Sequence, residues 1–274
     1  MVSELRFHEY GIVKPFLEGP EFDLLLSAIQ EGNSPAQIWT DEMPSSGSVF
    51  LWDKANNVFY LIGDEDDSRF NDDLAGLLER KVIPDLRLKH RMEFRLRTTS
   101  EAWTSQLPSI FRKADLKEGR YVFLSFEGQV KLNWENKIPA GFELELIDED
   151  FLFDSGYENI EFVKSEVRQM WPSINRFIEC GFGFSLVTGG KVVSWCTSEY
   201  VSKDKCGIGI ETLGEYQNRG LATIAASAFV EQSLQRSIKP HWDCDVENLA
   251  SRRVAEKVGF VEERNYPIHF GRFS

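Results

Sequence analysis

The run CGIGIETL (206–213), followed by GEYQNRGLA (214–222), decides the fold. Its first part alternates large apolar residues with small ones and reads as a strand. Its second part leaves that strand through a short loop and enters a helix expected over 219–236. Leu221, Ile224, Ala225, Ala228 and Phe229 share one face of that helix at helical spacing. The first N–H groups of a helix have no intrahelical partners and lie at the positive end of its dipole. Gly220 lets the backbone approach a ligand closely, the small Ala222 keeps the next turn open, and Arg219 adds a charge. Strand, loop and helix start together form a pyrophosphate cradle.

Working outward, 181–187 and 191–201 are β-rich runs joined by Thr188-Gly189-Gly190, a hairpin. Pro240 precedes a strand at 241–246, Asn248 caps a helix over 249–258, and Gly259 ends it. The segment 260–270 reads as one or two further strands. Upstream, 142–147 alternates as a strand, and 160–180 is helical with a break at Pro172. From 142 onward the order is therefore β, α, β, β, β, α, β, α, β.

The first half shows the same order. Strands are expected at 48–51 and 58–62, a helix over 70–88 with Leu74, Leu77, Leu78 and Val82 on one stripe, and a strand at 91–97. Ser100 caps a second helix with Trp103, Leu107 and Ile110 on its apolar face, and a strand follows at 121–126. Ser100 and Asn248 occupy matching cap positions 148 residues apart. Two diverged copies of one α/β unit are expected, 1–127 and 128–274. They differ at the cradle. The first copy has Asp64-Glu65-Asp66-Asp67 before its long helix and no glycine there, so it would repel phosphate.

Composition narrows the function classes. The 274-residue chain has a formal charge of −13. The acidity is spread, with 15 basic against 22 acidic side chains up to residue 127 and 16 against 22 beyond it. This argues against nucleic acid and anionic lipid as partners, since both need a basic face. No apolar run reaches the ~18–20 residues of a membrane span, and MVSELRFHEY lacks the apolar stretch of a signal peptide. The four cysteines form no CxxC pair. They read as free thiols in a reducing cytoplasm, and no metal site is expected.

The cradle and the later helix carry a family resemblance. Gln217 to Ala222 resembles motif A (Gln/Arg-x-x-Gly-x-Gly/Ala) of the GCN5-related N-acetyltransferases (GNAT). NLASRRVAEKVGF (248–260) resembles that family's second signature, an Asn, a helix and Glu-Lys-x-Gly-Phe. Ile210-Glu211-Thr212, Pro240 to Cys244 and Ala255-Glu256-Lys257 look like the subfamily that includes zwittermicin A resistance proteins. The resemblance implies an α/β (α+β) fold with a mixed, splayed sheet in the second half, preceded by a degenerate GNAT-like first half.

It also implies acetyl-CoA as cosubstrate, lying where the third and fourth strands splay apart at a bulge. The backbone of Thr212 and Leu213 would pair with the pantetheine amides. Gln217, Asn218, Arg219, Gly220, Leu221, Ala222 and Thr223 would hold the pyrophosphate, with Asn248 and Ser251 near the pantetheine arm. Asn248 reads equally as a plain helix cap. Arg252 and Arg253 read as phosphate ligands or as a solvated helix face.

The reaction implied is direct attack of a small-molecule amine on the thioester. Glu211, an ionisable residue in an apolar strand, is the candidate general base, with a structural carboxylate or substrate anchor as the other reading. Asp243, Asp245 and Glu199 are weaker candidates for gripping a cation, and Cys244 is a poor nucleophile candidate. The family's usual acid, a tyrosine, is replaced by Ala255. Two further readings stay open: a tandem aminoacyl or peptidyl transferase of the Fem type, and a CoA-binding sensor without catalysis. The first copy is left two roles, shaping the acceptor side or forming a homodimer.

Overall fold

In a computed structural model, the structure describes residues 2–17, 19–41, 47–128, 133–153 and 156–274. The chain divides into two compact units. Unit 1 is Met1–Leu26, Pro35–Arg120 and Tyr266–Ser274; unit 2 is Ser27–Ser34 and Tyr121–Asn265. This division is not a single cut after residue 127. It falls between Arg120 and Tyr121, inside a strand, and two short segments belong to the unit remote from them in sequence.

The elements in chain order begin with β1 (Ser3–Glu4), a 3-10 stretch over Phe7–Phe16, α1 (Pro20–Gln30), β2 (Ala36–Thr40), β3 (Ser48–Asp53) and β4 (Val58–Gly63). There follow α2 (Ser68–Leu77), a π turn over Leu78–Val82, α3 (Ile83–Leu88), β5 (Glu93–Thr98), a 3-10 turn over Glu101–Ser105, α4 (Leu107–Ile110) and β6 (Ala114–Phe126). The second set is β7 (Glu143–Leu146), α5 (Glu149–Phe153), α6 (Ile160–Met170), α7 (Ile174–Cys180), β8 (Gly183–Thr188), β9 (Lys191–Glu199), β10 (Lys205–Thr212), α8 (Leu221–Gln235), β11 (Lys239–Asp245), α9 (Leu249–Val258) and β12 (Phe260–Phe273).

Both units build their sheets on one plan. Unit 1 orders its strands β1-β2-β3-β4-β5-β12, and unit 2 orders its own β7-β8-β9-β10-β11-β6. In each, the fourth and fifth strands are parallel and the remaining pairs antiparallel. The elements ahead of residue 48, which the sequence pattern did not reveal, complete the first copy of the β, α, β, β, β, α, β, α, β order.

The last strands are exchanged. His269–Arg272 of β12 pairs with Glu93–Leu96 of β5 in unit 1. Tyr121–Ser125 of β6 pairs with His241–Asp245 of β11 in unit 2. Each sheet is thus closed by the other copy's final strand. The expected one or two strands after residue 260 are a single long one.

The helix expected over 70–88 is not uniform. It passes through the π turn just before Pro84, whose missing N–H cannot bond the Arg80 carbonyl one turn back and whose ring crowds that turn. Leu74, Leu78 and Val82 still face inward. The helix expected after Ser100 is a 3-10 turn and one short α turn, and Trp103, Leu107 and Ile110 are all buried. The core of unit 1 is aromatic. Phe94 lies 4.4 Å from Phe273 and 4.9 Å from Phe59, ring centre to ring centre. In unit 2, α8 is buried on nearly every side from Leu221 to Val230. Phe229 stacks on Phe182 at 4.6 Å, which locks the helix against the sheet.

A cleft of about 450 Å³ lies in unit 1 beside Glu93, Phe94, Arg95 and Phe270. Three of its charged residues are engaged: Arg272 pairs with Glu93 at 2.9 Å, and Arg95 donates to the Asn56 carbonyl. It shares no element with the cradle, so the chemistry is sought elsewhere. No helix among the described residues is long and apolar enough to cross a membrane.

Candidate active site

The cradle is built by a strand that loses its neighbour. Lys205 and Cys206 pair with Lys239 and Pro240, and β10 and β11 then part company. On its other side β10 stays fully paired with β9, from Gly207 opposite Glu199 to Thr212 opposite Ser194. The splay therefore lies between the fourth and fifth strands of the unit. The expectation of a splay between the third and fourth is corrected, because those two keep six consecutive registered pairs. A register shift does sit nearby: Leu186 faces Ser194 while Val187 faces Val192, so Val193 is the extra residue.

Backbone alternation decides what faces the gap. The Leu213 N–H donates to the Val193 carbonyl at 3.0 Å, so the odd-numbered residues of β10 turn their polar groups to β9. Ile208, Ile210 and Thr212 turn theirs to the gap. The Leu213 carbonyl accepts from Tyr216 N–H, so Leu213 is committed within the protein on both sides. The Thr212 carbonyl accepts from the Gln217 side chain at 3.1 Å. Of the two residues expected to pair with pantetheine amides, Thr212 keeps its N–H toward the gap and Leu213 does not.

The loop ends on an open helix start. Asn218 and Gly220 both adopt left-handed backbone, with φ of +61° and +80°. Gly220 is the cap residue, and no side chain caps α8, leaving the N–H groups of Leu221, Ala222 and Thr223 for a ligand. A Cβ at Gly220 would meet nothing within 4 Å, so the space above it is open. Arg219 sits over the Tyr216 ring at 5.2 Å and donates to the Glu215 carbonyl. The helix begins at Leu221 rather than at the expected residue 219.

Unit 1 closes both features. Its parallel pair β4–β5 stays in register over four residues, Val58–Leu61 against Arg95–Thr98. The start of α2 is capped from within by Asp67, whose carboxylate accepts from Phe70 N–H at 2.9 Å. Asp64 accepts from Asp66 N–H, and Asn71 donates to the Glu65 carbonyl. A carboxylate of the chain itself occupies the place of an external anion.

On α9, the Asn248 side chain accepts from Ser251 N–H at 3.1 Å, which establishes its capping role. The Ser251 hydroxyl accepts from Trp242 Nε1 at 2.8 Å. Arg252 donates to the Val246 carbonyl and faces Glu262 at 3.6 Å, an anchor between helix and strand; Arg253 is exposed. Asp245 accepts from Glu247 N–H as a turn residue, and Asp243 is exposed. Ala255 is fully buried.

Glu211 is exposed on β10, and on its sheet face lies a residue the sequence pattern did not single out. Glu166 of α6 accepts from Trp195 Nε1 at 2.6 Å and from Thr197 Oγ1 at 2.5 Å. Trp195 is the cross-strand partner of Glu211, and Thr197 that of Gly209. Phe162, half exposed, stacks on Trp195 with ring centres 6.4 Å apart. Burial pushes the Glu166 carboxyl up from its ordinary value. The hydrogen bonds from Thr197 and Trp195 pull it back, and the charge of Glu211 pushes it up further. Nothing local in the sequence marks Glu166, since its partners lie 29 and 31 residues away.

The cysteines are free, with Cys196, Cys206 and Cys244 buried. Burial pushes the Cys244 thiol up to about 11, although a hydrogen bond from Ser251 opposes this. At neutral pH it is a thiol, so it is a poor nucleophile. Iodoacetamide at pH 7.5 is expected to label the native chain once, at the partly exposed Cys180, and four times after denaturation. Peptide mapping checks this, and comparably fast labelling of native Cys244 would contradict it. No group of three or more His, Cys, Asp or Glu among the described residues is arranged to hold a metal ion.

Comparison with known proteins bears on this geometry. The GNAT acetyltransferase family model matches residues 14–269. The chain is 28% identical over 270 residues to the uncharacterized N-acetyltransferase YdfB of Bacillus subtilis (strain 168), covering 98% of each. Its fold is similar to that of a GCN5-related N-acetyltransferase-like protein from Streptococcus suis 89/1591, with a TM-score of 0.72, 20% identity, and coverage of 97% and 99%. It is also similar to a tandem GNAT protein from the clavulanic acid biosynthesis pathway, with a TM-score of 0.53, 12% identity, and coverage of 100% and 98%. The chain is an N-acetyltransferase and belongs to the GNAT acetyltransferase family.

Proposed function

We propose that the protein transfers an acetyl group from acetyl-CoA to an amine of a small molecule, such as an amino-bearing metabolite or antibiotic, in the cytoplasm. The observation that carries this reading is the conjunction in unit 2 of a strand splay and an uncapped helix start with open space above Gly220. Unit 1 has neither, which supports a single acyl site in unit 2.

The residues present fit the cosubstrate. The N–H groups of Leu221, Ala222 and Thr223 are ready for a pyrophosphate, with Asn218, Arg219 and Gly220 beside them. The gap-facing N–H and C=O groups of Ile208 and Ile210 and the N–H of Thr212 suit the amides of an extended pantetheine arm, with Ser251 on α9 as a further candidate contact. Acetyl-CoA, when bound, supplies an activated acetyl thioester. Glu211 takes a proton from the substrate ammonium and frees its lone pair for attack. A gap-facing N–H on β10 would donate to the carbonyl oxygen as the C–N bond forms and the C–S bond breaks, with water protonating the departing thiolate because Ala255 cannot.

A mass-spectrometric screen of amines with labelled acetyl-CoA tests the reading. Absence of any acetylated product, together with no melting shift from any acyl-CoA, would overturn it. On the amine that the screen identifies, Glu211→Gln is expected to lower kcat by ~10²–10⁴-fold. The melting shift given by acetyl-CoA should be unchanged in that variant. Full activity in it would remove Glu211 from the base role.

A further inference from the structure

Glu166 is a titratable group to which the reaction outlined above assigns no task. Both of its carboxylate oxygens are engaged, by Trp195 Nε1 and Thr197 Oγ1. β10 makes room for it: a Cβ at Gly209 would collide with Glu199 and lie 2.9 Å from Glu166 Oε1. The strand that runs along the splay thus gives up a side chain where the helix sends a carboxylate down to the sheet. The titratable groups that act on this place from β9 and β10 are Glu199, Glu211 and the Cys196 thiol, and none of them is a cation. The clamp also has a consequence for Trp195. With its N–H held by Glu166, the indole is fixed as a wall beside Glu211, backed by Phe162.

We propose that Glu166 is a positioning residue for the acceptor: clamped by Trp195 and Thr197, it holds the indole wall next to Glu211 and supplies the second negative charge that fixes an ammonium group there. This rests on the amine-acetylation reading and deepens it by assigning a residue to acceptor recognition. The physical basis is a balance of charge. Two carboxylates on one sheet face repel, which costs free energy that an arriving cation relieves. A neutral analogue of the same size relieves nothing, so the face discriminates by charge.

The test uses the full chain, with n-butylammonium as the probe and 1-butanol as its neutral counterpart. The emission of Trp195, taken as the difference between the wild type and Trp195→Phe, is followed against pH. A titration step above the ordinary carboxylate range is expected. Glu166→Gln, which keeps an acceptor for the indole N–H, should abolish that step. A cation favours the ionised carboxyl, so n-butylammonium should move the step to lower pH and 1-butanol should leave it in place. A wild type without the step, a step that survives Glu166→Gln, or a step that does not respond to the ammonium overturns the proposal. Melting curves with acetyl-CoA on the same samples separate the two readings. Loss of the acetyl-CoA shift in the wild type counts against the acetyl-transfer reading. A normal shift with an unresponsive step counts against Glu166 alone.

Discussion

Gly220→Glu is expected to abolish the melting shift that the proposed acetyl-CoA binding would give the wild-type protein. Two effects act together. The residue holds φ at +80°, where an L side chain costs ~1–2 kcal/mol. The added carboxylate enters the open space above the helix start, at the positive end of the α8 dipole, where it meets the same N–H groups a phosphate would. The chain then resembles unit 1, whose Asp67 already caps α2 in this manner. At a hundredfold excess over Kd, a ligand that binds only the folded protein stabilises it by ~2.7 kcal/mol, and this contribution disappears. Gly220→Ala separates the terms, since it carries the strain without the charge and should keep a reduced shift. Differential scanning fluorimetry with and without acetyl-CoA reads both variants, and a full shift in Gly220→Glu would place the cosubstrate elsewhere.

A chain ending at Asn265 is expected to fail to fold unit 1. The residues removed include His269–Arg272, which pair with β5, and Phe273, which stacks on Phe94 in the aromatic core. Tyr266 also goes, and with it the ring that lies 3.6 Å from the buried Arg97 guanidinium. Arg97 forms a 2.8 Å ion pair with the equally buried Glu21, so its surroundings matter. Phe273→Ala is the graded version. It deletes a fully buried ring and is expected to cost ~3–5 kcal/mol. Urea denaturation with near-UV circular dichroism measures both. A truncated chain that keeps the cooperative transition and aromatic signal of the wild type would show that β12 is dispensable to unit 1.

The charge of −13 is informative only once it is located. The proposed cosubstrate is a polyanion and would need local relief from the α8 start and Arg219. The acidic excess then belongs to other surfaces, among them the Glu166, Glu199 and Glu211 face and the Asp64–Asp67 run. In that run the Asp67 carboxylate caps the helix start and the Asp64 carboxylate braces the turn before it.

Local order was legible because it is written in short-range chemistry. The bounds of α9, the Asn248 cap and the Gly259 end all follow from neighbours within four residues. The recurring strand and helix order after residue 48 followed from periodicity with turn and cap residues, and the divergence of the two cradles from loop composition. Sequence-distant pairings were not legible. Nothing in the string of residues says that β10 pairs with β11 for only two residues, that β6 closes the sheet of unit 2, or that β12 closes that of unit 1. Nor does it say that Glu166 reaches Trp195 and Thr197. Such choices depend on which faces and edges meet after the chain has condensed, a competition among many strands of similar composition that only tertiary packing resolves. The sequence by itself determined the family, the repeated unit and the loop at which the two copies diverge. The tertiary structure decided which strands part to open the gap, which carboxylates share a face with Glu211, and how the last strand of each copy is spent.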